Sequence, residues 1–150
     1  MPQLTVQGLI DRQEISDLVS RVGTWLDDKN FDELQSIFTE DVRIQTQGGS
    51  SSGIAAVAEQ ARRNHEADRT QHVITNVLVQ VEGDHATAQA NLIATFVPSA
   101  ADPAALVTHG ERYRFRAVRA HCVWRLCGVD VSHVWHWASS APHDLNDPLS

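Results

Sequence analysis

The sequence predicts an α+β fold in which three N-terminal helices pack into a strongly curved antiparallel sheet. Three observations carry the prediction. Apolar residues recur at intervals of three and four over roughly the first 66 positions, the helical period. From Arg69 onward they alternate, the strand period. In the last alternating stretch the apolar set changes parity near Cys127 and Gly128, as it does when one extra residue bulges out of a strand and bends the sheet.

The first helix is predicted over 9–28, where Ile15, Leu18, Val19, Val22, Trp25 and Leu26 form one stripe. Asp11 with Glu14 fits a capping box, and Thr5 offers an earlier cap. The helix should stop near Lys29 and Asn30. A short second helix is predicted over 31–38, then a strand over 40–45 and a flexible turn at 48–53. A third helix follows from Ile54 to Glu66, with Val57, Ala58 and Ala61 on one face. Strands are predicted at 71–82, 86–97, 106–119 and 123–137, the first two joined tightly at Gly83-Asp84. One domain over 1–138 and a loose tail over 139–150, which has no periodicity, complete the expected organisation.

Composition narrows the function. The chain has 150 residues, 42% apolar and 21% charged, which suits one soluble domain with room for an internal pocket. A formal charge of −7 argues against nucleic acid or an anionic membrane as the main partner. The N-terminal stretch has no export-signal pattern, and no apolar run nears the ~20 residues that span a bilayer. Two cysteines, Cys122 and Cys127, are too few for a disulfide framework, so a cytoplasmic protein with reduced thiols is expected. No phosphate loop or nucleophile motif implies a cofactor or covalent chemistry.

The stretch RTQHVITN (69–76) places His72 at the head of a strand, at a cavity mouth or at a solvated edge. A partner stands at the end of the first helix. Asp27 lies at the border of the apolar stripe, one turn after Gly23, whose missing side chain leaves space there. An aspartate that accepts from one imidazole nitrogen leaves the other free as a general base. Spacing alone favours reading Asp27 as a helix-end charge in water, and His72 as a strand-edge residue.

The residues also carry a resemblance. The order of L26-D-x-x-x-F-D-x-L34, F38-x-E-D-V42, the tripeptide T70-Q-H72 and a G-D hairpin resembles the SnoaL-like branch of the nuclear transport factor 2-like superfamily, over about 8–138. Locally it is similar to scytalone dehydratases, which share the T-Q-H tripeptide. It is similar also to hexachlorocyclohexane dehydrochlorinases, where a histidine precedes two residues and T-N. The resemblance implies a cone-like α+β barrel and makes Asp27 and His72 a catalytic dyad. Where the dehydratases hold a water with two tyrosines, this chain has Leu26 and Thr46. Where they carry a second histidine, it has Phe96, and the dehydrochlorinases' basic residue is replaced near Val22. Proton abstraction survives the comparison, while the helpers of those specific eliminations do not.

Six further residues are expected to contact substrate: Trp25, Asn76, Phe96, His109, Tyr113 and Trp135. Asn76 shares His72's face and could orient a carbonyl. His109 shares a face with Glu111 and Tyr113 and could serve as a second acid, while Arg112, Arg114 and Arg116 face the other way. Asp130 faces the interior if the bulge is at 127–128, in line with the last-strand aspartate of some cyclases in this branch. His133 and His136, three apart, should point to opposite faces, so no metal site is expected. The sequence thus predicts a cofactor-independent lyase, isomerase or cyclase acting on a medium-sized, largely apolar small molecule. The alternative is a non-catalytic binding or assembly module. Val73, Val77, Val79 and Val81, opposite His72, predict a covered sheet face and hence a homodimer or other homo-oligomer.

Overall fold

The structure, a computed structural model, describes residues 4–66 and 68–139. Among these residues two helices, not three, pack on one six-stranded sheet: α1 (Val6–Asp27), β1 (Phe38–Thr46), β2 (Gly49–Ser52), α2 (Ile54–His65), β3 (Arg69–Glu82), β4 (His85–Val97), β5 (Val107–Ala120) and β6 (Val123–Ala138). The sheet order is β2-β1-β6-β5-β4-β3. It is mixed, because β1 runs parallel to β6 while every other pair is antiparallel. It is also open. β2 and β3 are its two edges, so the expected strongly curved antiparallel barrel is replaced by an open mixed sheet.

The predicted second helix is absent. Phe31, Leu34, Ile37 and Phe38 have helical spacing and are all buried, but successive tight turns place them. Backbone bonds run from Glu33 to Asn30 and from Ile37 to Leu34. A segment this short, wedged between a helix end and a strand, gains too few bonds to offset helix nucleation. The expected turn at 48–53 instead contains β2, which pairs with Arg43–Thr46. α1 starts at Thr5, whose side chain accepts from the Gly8 N–H. Asp11 caps nothing. It is buried in mid-helix, where Arg119, Gln7 and Trp124 donate to its carboxylate at 2.8, 3.0 and 3.1 Å. Burial pushes this carboxyl up, but the bonds from Trp124 and Gln7 and the charge of Arg119 outweigh it and hold it low.

The apolar stripe of α1 forms the core with Phe115, Trp124, Leu126 and Val129 from the sheet. Each fully buried side chain such as Ile15 or Leu126 contributes roughly 1.5–3 kcal/mol by its removal from water. Besides an irregularity between Phe38 and Arg43 of β1, three bulges in β3 and β6 set which side chains face that core. In β6 an extra residue at Cys127 falls between the pairs Arg116–Gly128 and Ala117–Leu126, where the parity change predicted it. A second, at Val134, falls between Gly110–Trp135 and Glu111–His133. A third, in β3, sets Asn76 and Val77 against Ala90 of β4, with Asn76 at φ 57°. The β3 bulge turns Val77, Val79 and Val81 inward against the core, not outward with Val73 as alternation predicted. Ser139 is bonded to Leu106 through both its N–H and its hydroxyl, so it ends the sheet; the rest of the expected tail, 140–150, lies outside the described residues. Both cysteines are free, and no described helix is long and apolar enough to cross a membrane.

Candidate active site

β3 pairs with β4 on one side only, and the end of α1 covers its open side. There Asp27 takes three hydrogen bonds. His72 Nδ1 lies 2.6 Å from Oδ1, the Thr70 hydroxyl donates to Oδ1 at 3.0 Å, and the His72 backbone N–H donates to Oδ2 at 2.9 Å. A carboxylate so placed satisfies the exposed strand edge and orients the ring together. Lys29, just past the helix end at φ 61°, donates to Thr70 at 3.3 Å and to the His65 carbonyl. Burial lowers the Lys29 amine's pKa, while Asp27 and Asp68 act to raise it.

Gly23 sets the distance between helix and strand. A Cβ there would lie 3.3 Å from both His72 Cβ and Ile74 Cδ1. The missing side chain therefore makes room for the strand bearing the histidine, not for the carboxylate.

The His72 side chain is only 2% exposed, yet it lines a cavity of about 500 Å³ formed by β3–β6, α2 and the β1–β2 turn. Because a carboxylate can only accept, Nδ1 carries the hydrogen when the imidazole is neutral, leaving the Nε2 lone pair available as a base. A smaller apolar cavity of about 80 Å³ lies deeper and shares Thr46, Asn64, His65, Tyr113 and Val131 with the first. Ala94 leaves open space that a larger side chain would fill.

The structure brings together Asp27, His72, Phe96, His109 and Tyr113 at or beside the larger cavity. Trp25 lines the deeper cavity and packs edge-on against Phe31 and Phe38. Burial pushes the Tyr113 hydroxyl pKa upward, with neighbouring Glu111 adding to the shift. Asn76 is exposed at the β3 bulge and lines neither cavity, so its expected role at a substrate carbonyl does not hold. Trp135 lies on the outer face over Gly110, and Asp130 pairs with Arg116 there. Neither reaches the cavity. The Val134 bulge inverts the last part of β6, so His133 and His136 share a side, with rings 5.8 Å apart, instead of opposing each other. His109 lies 5.8 and 6.3 Å from them, but no three potential ligands converge on a metal position among the described residues.

Sequence reasoning missed two cavity residues of consequence, His133 and His65. His133 continues the odd-numbered, inward set of Val129 and Val131, so the alternation after Cys127 already pointed to it. His65 likewise follows Ala61 by four and Ala58 by seven, so the stripe of α2 already pointed to it.

The model of the SnoaL-like domain family matches residues 7–130. No curated protein matches the chain. Among solved structures, an NTF2-like protein with a cystatin-like fold from Novosphingobium aromaticivorans is 26% identical, with a TM-score of 0.76 over 89% of this chain and 92% of that one. A hexachlorocyclohexane dehydrochlorinase, LinA-type3, from Novosphingobium barchaimii is 17% identical, with a TM-score of 0.77 over 90% and 94%. A provisional scytalone dehydratase from Novosphingobium aromaticivorans is 16% identical, with a TM-score of 0.79 over 93% and 94%. At such identities the last two show a shared fold and no more.

Proposed function

The chain belongs to the SnoaL-like domain family, and from that premise we propose that it is a cofactor-independent enzyme of lyase, isomerase or cyclase type. In this reading His72, oriented by Asp27, removes a proton from a carbon of a medium-sized, largely apolar substrate. The observation that carries it is the 2.6 Å contact between His72 and Asp27, with the imidazole forming part of the wall of a 500 Å³ cavity. A binding module has no need of a buried imidazole held in one tautomer by a carboxylate with three donors.

The proton step balances on these residues. The substrate C–H bond breaks, an N–H bond forms at His72 Nε2, and the electron pair moves into conjugation with an adjacent carbonyl or expels a leaving group. Asp27 stabilises the imidazolium that results. Return of the proton to another carbon gives isomerisation, and its transfer to a departing group gives elimination.

Hydrogen–deuterium exchange tests the reading without the natural substrate. With 1-tetralone and 2-tetralone in D2O, the protein should speed exchange at the carbon beside the carbonyl. His72→Ala should abolish the effect, and Asp27→Asn should reduce it roughly 10²- to 10⁴-fold. Exchange no faster than buffer with either ketone, or full activity in folded His72→Ala, would favour the binding module.

A further inference from the structure

We propose that His65 is a specificity residue that accepts a hydrogen bond from a substrate hydroxyl held beside His72, so that the substrate is a neutral, hydroxylated ring compound. The inference rests on the site proposed above and names the class of molecule it takes.

His65 ends α2, and its ring lines both cavities where they meet. It lies 5.2 Å from the ring of His72 and 5.4 Å from that of Phe96, measured between centroids. A group bonded to His65 is therefore next to the base. Its polarity follows from one contact. His65 Nδ1 lies 3.0 Å from the carbonyl oxygen of Ala61, one turn earlier in the helix. A carbonyl can only accept, so Nδ1 carries the hydrogen. Burial drives the ring's pKa down to about 4, so at neutral pH the imidazole is uncharged and Nε2 holds a lone pair. Among the described residues no protein group donates to that atom. An acceptor that lines the cavity is matched by a donor on the ligand, and a ligand carbonyl or ether placed there would meet a second lone pair.

The charge of the cavity agrees. Among the described residues no lysine or arginine lines it, whereas Asp68 and Glu111 do. A carboxylate or phosphate ligand would find two like charges and no fixed cation. A neutral molecule bearing a hydroxyl finds acceptors, with Phe96 and Val131 to cover its ring.

Paired probes of nearly equal shape test this. 2-Naphthol carries a donor and 2-methoxynaphthalene does not. Binding followed by ligand-observed NMR at pH ~7 should favour 2-naphthol by roughly fivefold to tenfold. His65→Leu should bind both alike, and His65→Gln, whose amide oxygen also accepts, should recover part of the preference. Nitrogen NMR should show Nε2 of His65 unprotonated at that pH. The proposal is overturned if the wild type shows no preference, if neither probe binds, or if folded His65→Leu keeps the preference. His72→Ala should retain it. A preference that persists where no tetralone exchange occurs would uphold this recognition and reject the catalytic reading.

Discussion

Two histidines lie 5.2 Å apart, and each turns its Nδ1 to a different acceptor. His72 faces the Asp27 carboxylate at 2.6 Å, and His65 faces the Ala61 carbonyl at 3.0 Å. For His65 burial is the dominant influence. His72 and Lys29 also push its pKa down, while the Ala61 carbonyl and the more distant Asp27 only partly offset them. The consequence for stability has a definite sign. Between pH about 4 and 6.5 the unfolded chain holds a proton on this imidazole that the folded chain does not. The stabilisation is present in full above that window and is lost as pH falls through it. Allowing for the ring's partial exposure to the cavity, the loss should be about 1–3 kcal/mol. Urea unfolding at pH ~7 and pH ~4.5 should show wild type losing that much more than His65→Gln, since titrating carboxylates common to both cancel. Equal losses would mean that His65 is protonated in the native state across this range.

The elements were legible to the degree that local pattern decided them. α1, α2, β1 and β3–β6 follow apolar period, and the Cys127 bulge could be read because a parity change on both sides of it is visible. The bulges at Asn76 and Val134 were not legible, since β3 is apolar on both faces and the exposed end of β6 alternates nothing clearly. Those two bulges account for most of the misplaced side chains: Asn76 itself, the three inward valines, Trp135 and His136. Asp27 and His72 could be named because a resemblance joined residues 45 apart; periodicity offered only their separate faces. Gly23 shows how the elements bear on the site. Alanine there should gain up to ~1 kcal/mol of helix stability, yet its Cβ meets His72 Cβ and Ile74 Cδ1 at 3.3 Å. Displacing the histidine by a few tenths of an ångström should lower tetralone exchange roughly tenfold while the melting temperature stays close to wild type. Unchanged exchange would show that Ile74 alone yields.

For the whole molecule, the open sheet has an outer face that α1 and α2 do not cover. The inner valines are no longer an argument for association, but the register supplies another. Val73 pairs with Ile93, Ile93 with Gly110, and Gly110 with Trp135, forming one line across β3, β4, β5 and β6. Val73, Ile93 and Trp135 are 44%, 42% and 43% exposed. Gly110 lets the indole lie flat on the strand, since a Cβ there would meet it at 2.1 Å. Trp137, 54% exposed, extends the apolar surface at the far end of β6. A continuous apolar strip across four strands is uncommon on a monomer's surface. We propose that a second copy covers it face to face, the self-complementary arrangement of a two-fold dimer. The Arg112 and Arg114 side of β5 would then form the polar rim. Light scattering at ~50 μM should give twice the 16.6 kDa chain mass. Ile93→Arg, which puts a charge in the apolar strip of each copy, should give the monomer with the same circular dichroism as wild type. Wild type running as a monomer, or Ile93→Arg remaining dimeric, would remove this face as the interface.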